Sequence, residues 1–146
     1  MRALVQRVSE ASVVIDGETV GSIGEGLVVL VGEGRGDSAE NADTLARKVA
    51  ELRIFDDPEG RMNRSLADLA GPAALCVSQV TLYADTRKGR RPSFDGAAAP
   101  DIGKALCERF YAELAERGVR VETGRFGARM LVSLANEGPV TLLVET

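Results

Sequence analysis

Apolar and polar residues alternate over the start of the chain, a pattern that predicts β-strands. Residues 2–16, "RALVQRVSEASVVID", are rich in β-branched residues, and the Asp16-Gly17 pair at their end is typical of a tight hairpin turn. "ETVGSIG" and "GLVVLVGEG" follow as further strands. The latter is almost entirely apolar, so we expect it to be buried on both faces.

Two later segments have helical spacing instead. The first predicts an amphipathic helix over residues 38–52, with Asp37 and Glu40 as its capping box. The second is predicted to begin with Pro100 in its first turn and to end at Gly118. The two apolar stripes consist of Ala42, Leu45, Val49 and Leu52, and of Ile102, Leu106, Phe110 and Leu114.

The remaining apolar runs predict more strands. "AALCVSQVTLYAD" (73–85) predicts a central strand, and "VRVETGRFG" and "ARMLVSLANEGPVTLLVE" predict the last ones. Strands outnumber helices, which argues against a doubly wound order. No repeat, linker or composition break divides the chain. We therefore expect one α/β domain over residues 1–146, with a mixed, mostly antiparallel sheet or sheets in a barrel-like or layered sandwich core and two main helices.

The overall composition is that of an ordinary globular protein, with 45% hydrophobic and 27% charged residues. No apolar run approaches the roughly 20 residues of a membrane helix, and the charged start "MRALVQRVSE" is unlike a signal peptide. We expect a cytoplasmic protein with no membrane partner. Cys76 and Cys107 lie in apolar surroundings and are interpreted as reduced core thiols.

Histidine is absent from the chain. This excludes Ser-His-Asp and Cys-His nucleophilic machinery and removes the commonest zinc ligand, so we expect no metal and no cofactor. The net charge of −4 argues against general nucleic-acid binding, because phosphate contacts require basic surface. An RNA partner would have to meet a local basic patch.

"SQVT" (Ser78 to Thr81) places polar residues in an otherwise apolar run. A buried polar group without a partner costs about 1–3 kcal/mol, so these residues either bond neighbouring strands or meet a ligand. Thr81 has no obvious base near it in the sequence, and an unactivated hydroxyl is a poor nucleophile. A site built here would more readily stabilise developing charge through main-chain N–H groups.

Two further stretches have both a structural and a functional interpretation. The basic loop, residues 87–91, is either a solvated surface loop or a phosphate clamp beside "SQVT", to which Arg61 and Arg64 could add. Gly138-Pro139 interrupts an apolar run long enough for a buried strand. By itself this pair is best explained as a turn with a trans peptide bond, since about 5–6% of X-Pro bonds are cis.

"SQVTL" (78–82) and "NEGPVT" (136–141) resemble the two signature motifs of the D-aminoacyl-tRNA deacylases of the bacterial and eukaryotic type. The resemblance extends over essentially the whole chain. It includes, in the same order, "ALVQRVSEASV", "RIFDDPEGRMN", "KGRRPSF" and "GRFGARMLVSL".

This resemblance implies a homodimeric editing hydrolase that binds the 3′-terminal adenosine end of aminoacyl-tRNA. It would cleave the ester of a D-amino acid, or of mischarged glycine, and reject L-amino acids. In the family a cis Gly-Pro peptide reaches into the active site of the other subunit, where its carbonyls hold the substrate amino group. Here that peptide corresponds to Gly138 and Pro139, and Arg7 would fix its orientation.

The resemblance also implies roles for the other motif residues. Catalysis would rely on the 2′-hydroxyl of the tRNA, with the N–H groups of Gln79 and Val80 as oxyanion hole and Thr81 in a positioning role. Ser78 would support this stretch. The family usually has an aromatic residue where Val80 stands, so only the main-chain contribution carries over. Phe126 and Met130 would line the adenosine and Gly-Pro neighbourhood, and the tRNA phosphates would meet three loop cations, Lys88, Arg90 and Arg91.

Two alternatives stay open at this point. A related deacylase removes mischarged L-alanine with a trans Gly-Pro peptide and a larger pocket, and a non-catalytic RNA-binding protein could use the same fold. The preferred amino acid and tRNA do not follow from the sequence.

Overall fold

The computed structural model describes all 146 residues, Met1 to Thr146. It confirms an α/β fold with a mixed sheet and two main helices. In chain order the elements are β1 (Arg2–Ile15), β2 (Glu18–Ile23), β3 (Gly26–Gly32), α1 (Ala39–Glu51), β4 (Phe55–Asp56), β5 (Met62–Arg64), β6 (Ala73–Ser78), α2 (Pro100–Glu116), β7 (Arg120–Thr123) and β8 (Leu131–Glu145). Short 3-10 turns lie at Leu66–Asp68 and Val80–Tyr83.

The main sheet is nearly closed into a barrel. β1 is long enough to pair antiparallel with β3 along its first half and with β2 along its second. β6 then pairs parallel with β3, and β7 parallel with β6. The two free ends approach each other, because a Cβ on Gly21 of β2 would lie 3.1 Å from the carbonyl oxygen of Thr123 in β7. β8 pairs antiparallel with the other edge of β1 and lies outside this ring.

Two hydrophobic cores lie on the two faces of the sheet. Successive residues of β3 and β6 alternate between them, as a two-residue repeat requires. The smaller core fills the inside of the barrel, with Val13, Val28 and Leu75 among its members. The larger core packs the outer face against α1 and α2. The strand predicted to be buried on both faces, β3, is buried as expected.

Both helices form where the apolar spacing predicted them. α2 has Pro100 at its first position, and the chain reverses at Gly118, where φ is +85°. The predicted capping box of α1 is wrong, because Ser38 and Asn41 form it. Asp37 instead accepts hydrogen bonds from the Gly34 N–H and the terminal amine of Met1. Neither helix is long and apolar enough to cross a membrane.

The strand predicted over residues 73–85 is central in the sheet, but it ends at Ser78. Its parallel partner β3 ends one residue after the last pair, Val31 with Ser78, so no ladder remains to extend. The backbone turns into the 3-10 segment Val80–Tyr83 instead. The sequence pattern overestimated this strand because its apolar character continues through the turn.

Candidate active site

A cavity of about 480 Å³ opens where the parallel strands β3 and β6 end. Glu33 follows β3, and Ser78 is the last residue of β6. The opposite walls come from the first turn of α2 and from the segment that leads into β8. Ligands of sheets with parallel strands bind beyond their carboxyl ends. Five of the site residues predicted from the sequence line this cavity, namely Ser78, Gln79, Val80, Phe126 and Met130.

The main chain turns sharply at the edge of the cavity. The Gln79 N–H donates to the carbonyl oxygen of Val31 at 2.6 Å. In this structure the donor is therefore used within the sheet. Val80 and Thr81 open the 3-10 turn, and the first N–H groups of such a turn have no acceptor within it. The main-chain donors available at this edge thus follow Gln79 in the chain.

The side chains of this stretch have separate surroundings. The Gln79 amide donates to the Thr81 hydroxyl, and Thr81 is exposed and does not line the cavity. The Val80 side chain is 47% exposed at the cavity mouth. The Thr81 hydroxyl therefore holds the Gln79 side chain in place, and no base contacts this hydroxyl to activate it.

Phe126 and Met130 form an apolar wall opposite the turn. A Cβ on Gly124 would overlap the Met130 sulfur, so the absence of a side chain there lets Met130 occupy its place. Gly103 in α2 faces the same wall, and a Cβ there would lie 3.6 Å from the Phe126 ring. The ring itself is 38% exposed, which leaves an apolar surface open to a bound ligand.

Glu33 is a buried acid at the base of this cavity, and the sequence analysis did not identify it. Its side chain belongs to a residue only 3% exposed, and Oε1 has no hydrogen-bond partner. Burial raises its pKa to about 7, while the neighbouring Cys107 thiol lowers it by a smaller amount. Its main-chain carbonyl accepts the Ala98 N–H at 2.9 Å, which ties it to the segment before α2. In the sequence it stands in "GEG", which is typical of an ordinary exposed turn.

Arg7 lies under the Gly138 loop, buried to 6% exposure. Its guanidinium donates to the carbonyl oxygens of Ile54 at 2.7 Å and Glu137 at 3.2 Å, and contacts the Asp56 carboxylate at 3.3 Å. A Cβ on Gly138, where φ is +119°, would lie 3.0 Å from Arg7 Nη2. The arginine therefore joins the β4–β5 hairpin to this loop, and together with Val140, whose Cγ2 would lie 2.9 Å from that Cβ, it crowds a side chain at Gly138.

The predicted selection residues do not meet the cavity within one chain. Gly138 and Pro139 are exposed on β8, their peptide bond is cis, and neither lines the cavity. Pairing of β8 with β1 slips at this point, between Gln6 and Glu10. The predicted site residues thus form two groups, one at the cavity and one on an exposed face of β8.

The basic loop lies beyond the 3-10 turn, where a bridge between Asp85 and Ser93 closes its base. Arg87 is engaged by Asp85 at 2.6 Å and holds the pKa of that carboxyl low, at about 2. The other three cations of the loop, Lys88, Arg90 and Arg91, are exposed and take part in no ion pair. They are therefore free to meet an anionic partner. No three His, Cys, Asp or Glu residues are placed to hold a metal ion.

Comparisons with known proteins agree in one family. The family model described as D-Tyr-tRNA(Tyr) deacylase matches residues 4–145. A D-aminoacyl-tRNA deacylase of Roseiflexus sp. (strain RS-1) is 60% identical over 100% of this chain and 94% of its own length. One of Thermotoga petrophila is 56% identical over 100% of this chain and 97% of its own length.

Solved structures match as well. One titled "c-Myc DNA Unwinding Element Binding Protein" has a TM-score of 0.93 and 35% identity, and covers 100% of this chain and 99% of its own. A probable eukaryotic D-amino acid tRNA deacylase shares the fold, with a TM-score of 0.81 at 22% identity over 99% and 98% of the two chains. With a family model over nearly the whole length and relatives well above half identical, the chain belongs to the D-Tyr-tRNA(Tyr) deacylase family.

Proposed function

We propose that this enzyme edits charged tRNA by hydrolysing the ester that joins a D-amino acid to the 3′-terminal adenosine. The ester bond breaks between the acyl carbon and the ribose oxygen, and water adds across it to give the free amino acid and tRNA. The observation that carries this proposal is the match to the family model over residues 4–145. Relatives named D-aminoacyl-tRNA deacylase at 56–60% identity support it.

The geometry of the cavity suits this substrate. The exposed Phe126 ring and Met130 offer an apolar wall for a nucleoside, and the turn at Val80 offers main-chain N–H groups to a carbonyl oxygen. Such donors stabilise the negative charge that develops on that oxygen in the transition state. Because Gln79 uses its N–H in the sheet, Val80 takes the leading part as donor.

The cavity has no activated nucleophile. The Ser78 hydroxyl lines it without a hydrogen-bonded base, Thr81 lies outside it, and burial raises the pKa of the nearby Cys107 thiol, which keeps the sulfur neutral. In our proposal the 2′-hydroxyl of the terminal ribose assists attack of water on the ester. The protein then supplies position and main-chain hydrogen bonds, in agreement with a chain that has no histidine.

Selection between mirror-image amino acids is assigned to the Gly138 loop of a second copy of the chain. The loop is exposed and anchored by Arg7, and it lies away from its own chain's cavity. A second copy would bring it over the opening, where main-chain carbonyls bind the substrate ammonium and leave no room for an L side chain. Glycine, which has no side chain, would also be accepted and removed.

Strand β8 provides the surface for this homodimer. Its outer edge has no partner strand, and Leu131 and Leu143 are 65% and 54% exposed on it. An unpaired strand edge with exposed apolar residues favours pairing with another chain. The tRNA backbone would then meet the loop cations.

The test compares hydrolysis of D-tyrosyl-tRNA and L-tyrosyl-tRNA by the wild-type protein, with the spontaneous hydrolysis of each as baseline. We expect the D-ester to be cleaved far faster than the L-ester. Cleavage of an L-alanyl ester alone would favour the related alanine-editing activity. Tight tRNA binding without hydrolysis would instead favour a nucleic-acid-binding role of the kind named for the DNA unwinding element protein.

A further inference from the structure

The unpartnered carboxyl of Glu33 is the buried polar group that the proposed mechanism leaves unused. An acceptor sealed from water without a partner is costly, and buried polar groups in proteins nearly always have one. Oε1 of Glu33 has none, although the residue is 3% exposed and lines the cavity. On α2 the Cys107 thiol, a weak donor, lies between this carboxyl and the Tyr111 hydroxyl, which it contacts at 2.8 Å, and its single S–H cannot satisfy both. The carboxyl therefore keeps unused acceptor capacity, and Oε2, the oxygen that lies towards Gly103 in the cavity lining, is the one that a ligand donor can reach.

The position of the carboxyl indicates which part of a ligand it meets. A Cβ on Gly103 would lie 3.6 Å from Glu33 Oε2 and 3.6 Å from the Phe126 ring, so the acid and the ring edge converge above this glycine. A planar base packed against Phe126 turns its edge towards Glu33. In the proposed mechanism the reacting ester lies at the Val80 N–H, so the edge of the base is the part of the substrate left for Glu33.

We infer that Glu33 reads the terminal base, accepting a hydrogen bond from the exocyclic 6-amino group of adenine. This inference rests on the proposed function, which brings the 3′-terminal adenosine into the cavity. A 6-oxo purine presents an acceptor at the same place and leaves two acceptors facing each other. The acid thereby favours a 6-amino purine over a 6-oxo purine. Its ionised form, which prevails above a pKa of about 7, has acceptors only.

The experiment measures binding of the nucleotides AMP and IMP, which differ in the 6-substituent and in N1, an acceptor in AMP and an N–H donor in IMP; a carboxyl placed at the 6-position meets a donor only in AMP. Each is titrated into the wild-type protein at about pH 8, above the Glu33 pKa, and followed by NMR of the Met130 methyl group. We expect AMP to bind roughly ten- to a hundredfold more tightly than IMP, the value of one hydrogen bond to a charged acceptor. Equal affinity for the two nucleotides, or no binding of AMP, overturns the inference.

Two variants separate base reading from a structural role. Glu33→Leu removes the acceptor, and we expect it to lose the preference for AMP. Glu33→Gln keeps the shape and can turn its amide to offer either a donor or an acceptor, so we expect it to bind both nucleotides with similar affinity. A Glu33→Gln protein that folds and keeps the wild-type ratio refutes the inference even if Glu33→Leu does not fold.

Nucleotide binding needs no hydrolysis, so the two proposals fail separately. A protein that cleaves D-tyrosyl-tRNA but does not distinguish AMP from IMP keeps the deacylase proposal and loses this one. A protein that prefers AMP but cleaves no ester keeps the inference about Glu33 and loses the deacylase proposal.

Discussion

The stability of this protein is expected to fall as the pH rises through the titration of Glu33. Burial raises the pKa of this carboxyl from 4.5 to about 7. In that interval the folded chain keeps a proton that the unfolded chain has released, so the free energy of unfolding decreases with increasing pH. One pKa unit corresponds to about 1.4 kcal/mol, and the shift therefore amounts to about 3 kcal/mol. The contribution is fully present below pH 4.5 and lost above pH 7.

Glu33→Gln tests this directly, because the amide cannot ionise. Urea unfolding followed by circular dichroism, at one protein concentration, gives the free energy of unfolding of both proteins at pH 4.5 and at about pH 8. We expect the wild type to lose about 3 kcal/mol relative to the variant between the two conditions. The matched control is Glu18→Gln, an exposed glutamate on β2. A difference between wild type and Glu33→Gln that stays constant with pH would refute the reasoning.

Three further predictions concern the proposed reaction. Gly138→Ala should abolish D-tyrosyl-tRNA hydrolysis and cost roughly 1–3 kcal/mol of stability, because φ is +119° and the new Cβ would press on Arg7. Gly17→Ala, with φ of +79° and open space around it, should cost stability alone, and equal loss of activity in both variants would contradict us. Thr81→Ala should keep most of its single-turnover rate, because Thr81 only positions Gln79. Loss of a nucleophile would instead lower the rate on the order of a millionfold. A Thr81→Ala protein that binds tRNA but hydrolyses no ester would refute our mechanism. Replacing Lys88, Arg90 and Arg91 by glutamate should weaken tRNA binding and lower the slope of log affinity against log salt concentration by about 0.7–0.9 for each phosphate that the protein no longer neutralises. Replacing Arg87, which already pairs with Asp85, should have less effect. A tRNA affinity that does not change with salt concentration would place the phosphate-binding patch elsewhere.

Local pattern was sufficient to predict the elements that depend on their own residues. The hairpin at Asp16-Gly17 needs only two residues that accept positive φ, and both have it, at 50° and 79°. The two helices follow from apolar spacing over several turns. The strand through Ser78 was overestimated because its length is set by a partner, β3, which lies far away in the sequence. No local pattern contains that information.

The same distinction applies to the site. Motif resemblance identified the stretch at Ser78 and the loop at Gly138, and the structure assigns only the first to the cavity. The motif alone could not show that the Gln79 N–H donates to another strand, since the acceptor, the carbonyl oxygen of Val31, is 48 positions earlier in the chain. Glu33 was missed because burial, and hence a pKa of about 7, results from α2 packing over a residue that looks like part of an exposed turn.

The antiparallel pairing of β1 with β8 has a consequence for synthesis on the ribosome. The outer edge of β1 stays unpaired until β8 has been synthesised, because Leu4 pairs with Leu143 and Val13 with Val132. Contacts between such distant residues make folding slow, since a long loop must close before they form. The nascent chain can complete its barrel while Gly138 is still unplaced. If the Gly138 loop selects the substrate as we propose, a product stalled before residue 138 would have most of the cavity lining without that selection.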